Sequence, residues 1–260
     1  DKNAPLVFNF GMGAVGIFRE YEYFKRLLAD GYKPQRVGIE IFAADVSHEL
    51  FATRDGQFLV TRARWGELDD YRRYSEVPPD LEEIWKESRW NPLYRYGMTM
   101  PHQTLSWRLI PLPGIRRMEQ MPYDPWGWVL MENTTPEAEY RELFPRVKDY
   151  YQGYFKDFHI PPKTDLALRA FLDLCRDRGI RPFFLEMPES EDFRAMHTAE
   201  GDSQLDAWLS AIRKEYDNVP LIDASKWIGR AGFTDGHHLN GEGAAEFTRR
   251  FGEAMPALEQ

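Results

Sequence analysis

Short apolar runs, each bounded by glycine or proline, alternate with helical patterns at both ends of this 260-residue chain. Such runs are typical of strands buried in a parallel sheet, and the helical segments between them supply the crossovers that parallel strands need. The alternation therefore predicts an α/β fold with a mostly parallel sheet, covered by helices on both faces. The predicted strands are residues 5–10, 37–42, 182–187 and 219–223, and the predicted helices are residues 17–30, 164–178, 203–212 and 243–255.

Residues 46–160 interrupt this alternation. The block holds six of the eight tryptophans and is rich in proline, and it is too long for a plain loop. It therefore predicts an inserted lid or subdomain with helices at about 66–75, 79–88 and 137–155, and it leaves residues 1–45 and 161–260 for the α/β core. The aromatic side chains of the block either form the core of that subdomain or stack on sugar rings.

Composition excludes several classes of protein. The chain carries 42 acidic and 33 basic side chains, a net charge of −9, which argues against a nucleic-acid partner. No apolar run approaches the ~20 residues of a membrane-spanning helix. A hydrophobic fraction of 43% excludes a disordered chain. Cys175 is the single cysteine, so the chain has neither a disulfide framework nor a thiolate metal site.

The strongest chemical signal lies in residues 234–244, just before the last predicted helix. Asp235 stands three residues before His238 in a glycine-rich stretch, and such a pair can act as the orienting acid and the general base of a hydrolytic triad. A surface loop with helix-capping residues is the alternative. The adjacent His237 suggests metal binding, but no third ligand stands at the usual spacing, so neither a metal nor a cofactor is predicted.

These residues resemble the last sequence block of the SGNH (GDSL-type) hydrolases. The pattern is Asp235-x-x-His238-Leu239-Asn240 followed by Gly243-Ala244, and residues 9–13 and 33–40 resemble the second and third blocks. The resemblance is to bacterial extracytoplasmic SGNH-like proteins, relatives of domains that handle O-acetyl groups on polysaccharides. It covers about residues 3–45 and 164–260.

The resemblance implies a three-layer, flavodoxin-like sheet and a Ser-His-Asp mechanism of ester hydrolysis or acyl transfer. His238 would be the general base and Asp235 its partner, and the backbone N–H of Gly13, or less directly Gly11, would line the oxyanion hole. His237 has no family role and is predicted to lie at the rim. The substrate would be a small-molecule or carbohydrate ester, and the location would be secreted or envelope-associated.

The chain departs from the family at two positions. Residues 42–45 do not contain the asparagine that completes the family's oxyanion hole. The family's first block, a strand ending in Gly-x-Ser, should precede the second block, but only residues 1–4 stand there. Because the first methionine is Met12, we expect the 260 residues to begin inside a longer gene product and to be inactive without its upstream serine.

Several other residues are candidates. Ser203 completes a literal Gly-Asp-Ser, but no apolar strand precedes it, and it is better explained as a helix N-cap. Glu186 ends a predicted strand and either contacts substrate or caps the next segment. Residues 11–16 fit G-x-G-x-x-G with Glu40 as the ribose-binding acid, which keeps a dinucleotide site open. A non-catalytic carbohydrate- or partner-binding module on the same fold is the main alternative to an enzyme.

Overall fold

A computed structural model describes residues 7–10, 16–47, 63–77, 79–90 and 133–259. The chain divides into two compact units. One consists of residues 14–48 and 131–260 and contains the sheet, so we call it the sheet unit. The other consists of residues 1–13 and 49–130. These boundaries differ from those expected from the sequence, because residues 131–160 fall in the same unit as the sheet. The assignment of residues 46–160 to a lid or subdomain stays a prediction.

The sheet unit contains three parallel strands, β1 (Arg36–Glu40), β2 (Arg181–Glu186) and β3 (Leu221–Asp223), in the order β1-β2-β3. Arg36 is in register with Arg181, and Phe184 is in register with Leu221. The helices of this unit are α1 (Ile17–Ala29), α2 (Ala43–Ser47), α5 (Glu137–Lys156), α6 (Pro162–Arg178), α7 (Glu191–Arg194), α8 (Ala199–Glu215) and α9 (Gly241–Ala254). The predicted α/β class with a parallel sheet is confirmed for the described residues.

Apolar side chains on the strands explain how helices pack on the sheet. Ile39 and Phe184 are fully buried. Phe183 and Leu185 alternate with Phe184 and so point to the opposite face, where they contact side chains of α9. α1 packs against α6, with the rings of Phe24 and Phe171 5.0 Å apart. Cys175 of α6 is buried, and burial raises the pKa of its thiol to about 12, so it is an inert core residue.

Three local predictions are wrong. Residues 7–10 form no strand, and Val7 and Phe8 are exposed. α8 begins at Ala199 because Thr198 caps it by accepting a hydrogen bond from the Gly201 N–H, at 3.0 Å; Ser203 is therefore inside the helix. α6 begins earlier than Thr164 and has no side-chain cap, since Pro161 stands at its N-cap.

The described part of the second unit contains two helices, α3 (Leu68–Tyr74) and α4 (Leu81–Trp90), which confirm the predicted segments 66–75 and 79–88. A short 3₁₀ turn, Trp65–Glu67, precedes α3. The rings of Trp65 and Trp85 lie 4.9 Å apart, and the indole N–H of Trp85 donates to the Ala63 carbonyl at 2.7 Å. These two tryptophans therefore pack on each other within this unit.

Candidate functional site

The candidate site is the loop between β3 and α9, which we call the histidine loop (residues 233–239). Phe233 and Leu239 pair across its base, and the Thr234 N–H donates to the His238 carbonyl at 2.8 Å. Gly236 has φ +114°, a conformation that favours glycine, and an added Cβ would lie 2.9 Å from the Phe144 ring. The loop is thus closed by its own backbone.

The start of α9 holds the C-terminal end of this loop. The side chain of Asn240 is fully buried, accepts a hydrogen bond from the Gly243 N–H at 3.0 Å, and donates to the Ala231 carbonyl at 2.8 Å. A Cβ on Gly243 would lie 2.0 Å from the Gly232 carbonyl oxygen. The Asn240 and Gly243 of the sequence motif therefore have structural roles, since they bring the helix start against the loop.

Asp235 and His238 form the pair that their spacing predicts. Oδ2 of Asp235 is 2.8 Å from Nδ1 of His238, and Oδ1 accepts the His238 backbone N–H at 3.0 Å. Burial acts to raise the pKa of Asp235, but hydrogen bonds from His237 and His238 outweigh it and hold that pKa well below its usual range. The carboxylate is therefore ionised and suited to stabilise an imidazolium.

The two side chains of this pair differ in exposure. The side chain of His238 is 63% exposed, whereas that of Asp235 is 16% exposed. Because Asp235 holds Nδ1 of His238, the imidazole is fixed with its Nε2 as the proton-accepting atom. Among the described residues, no group hydrogen-bonds this Nε2. The arrangement is that of an oriented general base open to a substrate.

A polar network behind the loop fixes it to the segment after β2. The Ser190 N–H donates to the Gly236 carbonyl at 2.8 Å, and the Ser190 hydroxyl is 3.1 Å from that of Tyr140. The Tyr140 hydroxyl also donates to Asp192, and Arg230 lies over the Tyr140 ring at 4.5 Å. Ser190 is fully buried, so these bonds form away from water and restrain the loop.

The prediction that His237 lies at the rim is wrong. Its side chain is only 12% exposed, and its ring contacts the rings of Phe42, Phe193 and Tyr151 at centroid distances of 6.0, 5.1 and 4.9 Å. The Tyr151 hydroxyl is 3.2 Å from Nε2 of His237. Burial lowers the pKa of His237, although the contact of its Nδ1 with Asp235, at 3.4 Å, opposes that effect. The imidazole is therefore neutral at neutral pH.

Among the carboxylates near the end of β1, the sequence offered Glu40 only as the ribose-binding acid of a dinucleotide site and did not single out Asp45 or Glu20. Glu40, the last residue of β1, is exposed to solvent, but the protein atoms crowded around it raise its pKa, and the charge of His238 opposes that rise. Burial, with help from Glu40, raises the pKa of Asp45 to about 7. Burial and these two carboxylates also raise the pKa of Glu20. The position of Glu40 at the carboxyl end of a strand could have pointed to this group of carboxylates, because ligands of α/β sheets bind at that edge.

Two of the remaining sequence candidates, Ser203 and Glu186, make no described contact with the pair. Gly11 and Gly13 lie outside the described residues. Ser203 is exposed in the second turn of α8, away from any strand end. Glu186 does end β2, and burial followed by the charge of Asp223 raises its pKa to about 7; its described interactions are with other carboxylates rather than with His238.

One described group of side chains has metal-ligand geometry. The ligand atoms of Asp235, His237 and His238 lie within 4.8 Å of one another. A carboxylate and two imidazoles are a donor set that Zn²⁺ accepts. Nδ1 of His238 and Oδ2 of Asp235 are also at hydrogen-bond distance from each other, whereas Nδ1 of His237 is buried and makes no hydrogen bond to a described residue.

No protein-family model matches this chain, and no curated protein matches it. Within the described ranges, none of the helices combines the length and the apolar character that crossing a membrane would require.

Proposed function

We propose that the sheet unit is the core of an SGNH-type hydrolase, which catalyses ester hydrolysis or acyl transfer with His238 as general base and Asp235 as its partner. The observation that carries the proposal is the exposed imidazole of His238, held at Nδ1 by a half-buried, ionised carboxylate at 2.8 Å. A general base needs a fixed tautomer and an accessible nitrogen, and this pair provides both.

The chemistry follows from the two nitrogens of His238. Nε2 takes the proton of a hydroxyl nucleophile as its oxygen attacks the acyl carbon, and Asp235 stabilises the resulting imidazolium. The imidazolium then returns the proton to the leaving alcohol, and water repeats the cycle on the acyl-enzyme. The resemblance implies the other two parts: a serine nucleophile, and the backbone N–H of Gly13 or Gly11 in the oxyanion hole.

The strand order supports this proposal. In a flavodoxin-like sheet of order 2-1-3-4-5, three parallel strands follow one another in chain order at one side. The order β1-β2-β3 is compatible with strands 3-4-5 of that scheme. The central strand, which carries the nucleophile in SGNH hydrolases, would then lie beside β1. Glu40, at the end of β1, and His238 interact electrostatically, which agrees with a site at that edge.

We infer a carbohydrate ester as the substrate class and an extracytoplasmic location. Both rest on the resemblance to SGNH-like proteins that handle O-acetyl groups. The exposure of His238 agrees with a bulky substrate, because a base at the surface can reach an acyl group on a polymer.

The proposal predicts that His238→Ala abolishes the esterase activity of the protein. Without the base, kcat for p-nitrophenyl acetate and for an acetylated polysaccharide should fall at least about 1,000-fold. Asp235→Asn should also lower kcat strongly, because it no longer stabilises the imidazolium. Initial-rate kinetics measure both.

His159→Ala is the matched control, since His159 is an exposed histidine in the segment between α5 and α6. It should leave kcat unchanged. Hydrolysis that survives His238→Ala would contradict the proposal. A wild-type protein that binds polysaccharide but hydrolyses no ester would also contradict it and would favour the binding module.

A further inference from the structure

Three side chains form a continuous chain of polar contacts that ends at His238. The Tyr151 hydroxyl is 3.2 Å from Nε2 of His237, and Nδ1 of His237 is 3.4 Å from Oδ1 of Asp235. Oδ2 of Asp235 is 2.8 Å from Nδ1 of His238. Each oxygen of the Asp235 carboxylate therefore faces a different imidazole.

The charge of Asp235 determines which nitrogen of His237 carries its proton. An ionised carboxylate attracts an N–H and repels a nitrogen lone pair, so the proton of the neutral His237 ring belongs on Nδ1. Nε2 is then an acceptor, and the Tyr151 hydroxyl is its donor. Burial, followed by the charge of Asp45, raises the pKa of Tyr151, which keeps that hydroxyl protonated.

Aromatic packing holds the His237 ring in this position. Its ring plane is inclined by only 7° to that of Phe42, which follows β1, and by 21° to that of Phe193 in α7. The Tyr151 ring in α5 meets it nearly edge-on, at 72°. Three separate elements of the sheet unit thus constrain one imidazole, and through it one oxygen of Asp235.

We propose that His237 is a positioning residue: the Tyr151 hydroxyl and the neighbouring rings hold its imidazole, and its Nδ1, 3.4 Å from Oδ1 of Asp235, restrains that carboxylate electrostatically so that Oδ2 faces His238. This inference rests on the proposed role of His238 as general base. No proton moves along the chain of contacts. Its effect is to restrict the rotation of the Asp235 carboxylate, because a misplaced acid leaves the base in the wrong orientation.

The tautomer can be tested without any activity measurement. ¹⁵N chemical shifts of the imidazole nitrogens in the whole protein should show Nδ1 of His237 protonated and Nε2 unprotonated. Tyr151→Phe should shift the ring toward a mixture of tautomers. Tyr150→Phe is the matched control, because Tyr150 is the exposed neighbour in α5, and it should leave the shifts unchanged. A wild-type ring protonated on Nε2 would overturn the proposal, whether or not the protein is an esterase.

The positioning role is tested by comparing His237→Ala with His237→Asn. The amide of asparagine can place an N–H where Nδ1 stood, whereas alanine cannot. We expect kcat to fall about 10- to 100-fold in His237→Ala with KM nearly unchanged, and His237→Asn to restore most of it. Thermal melting of both variants identifies any loss through misfolding.

Two results would contradict this role. The first is an asparagine variant as inactive as the alanine variant at equal melting temperature. The second is a Zn²⁺ titration in which micromolar metal shifts the Nδ1 resonances of His237 and His238 together. Both nitrogens would then be metal ligands rather than protonated nitrogens that face Asp235. If His238→Ala leaves hydrolysis intact, the proposed function is contradicted. The ¹⁵N spectrum still tests the tautomer of His237 independently of activity.

Discussion

Glu189 keeps only 6% of its surface exposed, and its carboxyl lies beside an imidazole. Oε2 of Glu189 is 3.3 Å from Nε2 of His197, and Nδ1 of that ring is 3.0 Å from Oδ1 of Asp202. Burial raises the pKa of Glu189 to about 8, an effect that Arg194 opposes and Glu186 reinforces. Burial also lowers the pKa of His197. Near neutral pH both side chains are therefore uncharged.

The raised pKa predicts that stability falls as pH rises through this range. Between pH 4.5 and about 8, the folded protein keeps the Glu189 proton that the unfolded chain has lost, so raising the pH favours unfolding. The loss should be on the order of 5 kcal/mol across the window. Glu189→Gln should remove this contribution, which urea unfolding at several pH values measures.

Glu191→Gln is the control for that measurement, because Glu191 is an exposed carboxylate in the adjacent α7. It should leave the pH dependence unchanged. If the Glu189→Gln variant loses stability with pH as steeply as the wild type, Glu189 is not the group responsible.

At the scale of single residues, the sequence predicts contacts between residues that are close along the chain, but it does not predict contacts between distant segments. Asp235 and His238 are three residues apart, so one closed loop brings them together, and their spacing was sufficient to predict the pair. The burial of His237 depends on Phe42, Tyr151 and Phe193, which come from three distant segments. No local pattern around His237 could reveal that packing.

At the scale of elements, the apolar periodicity of the sequence located the strands and helices. The first residue of a helix, however, depends on which of several possible capping residues is used. Ser203 and Thr198 are both good capping residues in the sequence. Thr198 is used, and its hydroxyl oxygen meets the Gly201 N–H, so α8 starts earlier than predicted. Residues 7–10 had an apolar strand pattern too, yet Val7 and Phe8 are exposed, because a strand also needs a partner in the sheet.

Two glycines of α9, Gly243 and Gly252, should respond in opposite ways to alanine. Gly243→Ala would place a Cβ 2.0 Å from the Gly232 carbonyl oxygen, and that backbone must move. We expect a loss of about 2–3 kcal/mol in the free energy of unfolding. Gly252 has no atom within 4 Å of an added Cβ, so Gly252→Ala should stabilise α9 by roughly 0.5–1 kcal/mol.

Urea unfolding of both variants tests this pair. Because both substitutions lie in the same helix, helix propensity cancels and the contact with Gly232 remains as the difference. If the two variants are equally stable, the histidine loop accommodates the displacement that Gly243→Ala imposes where the loop joins α9.

At the scale of the whole molecule, the described contacts of the Asp235–His238 pair all come from residues of the sheet unit. We therefore expect replacement of residues 49–130 by a flexible Gly/Ser linker of about 20 residues to leave the sheet unit folded. It should unfold in one cooperative transition, and the NMR signals of His237 and His238 should match those of the whole chain. A gradual, non-cooperative melt would show that the sheet unit depends on the second unit.

The pairing of the strands also has a consequence for the order of folding. Phe184 pairs with Leu221 across one crossover, whereas Arg36 pairs with Arg181 across more than half of the chain. Closing the longer loop costs more chain entropy, and contacts between distant segments form slowly. The β2–β3 pair with its helices should therefore assemble first, and β1 should join late. Phe42 follows β1, so the histidine loop should form before the Phe42 ring packs against His237.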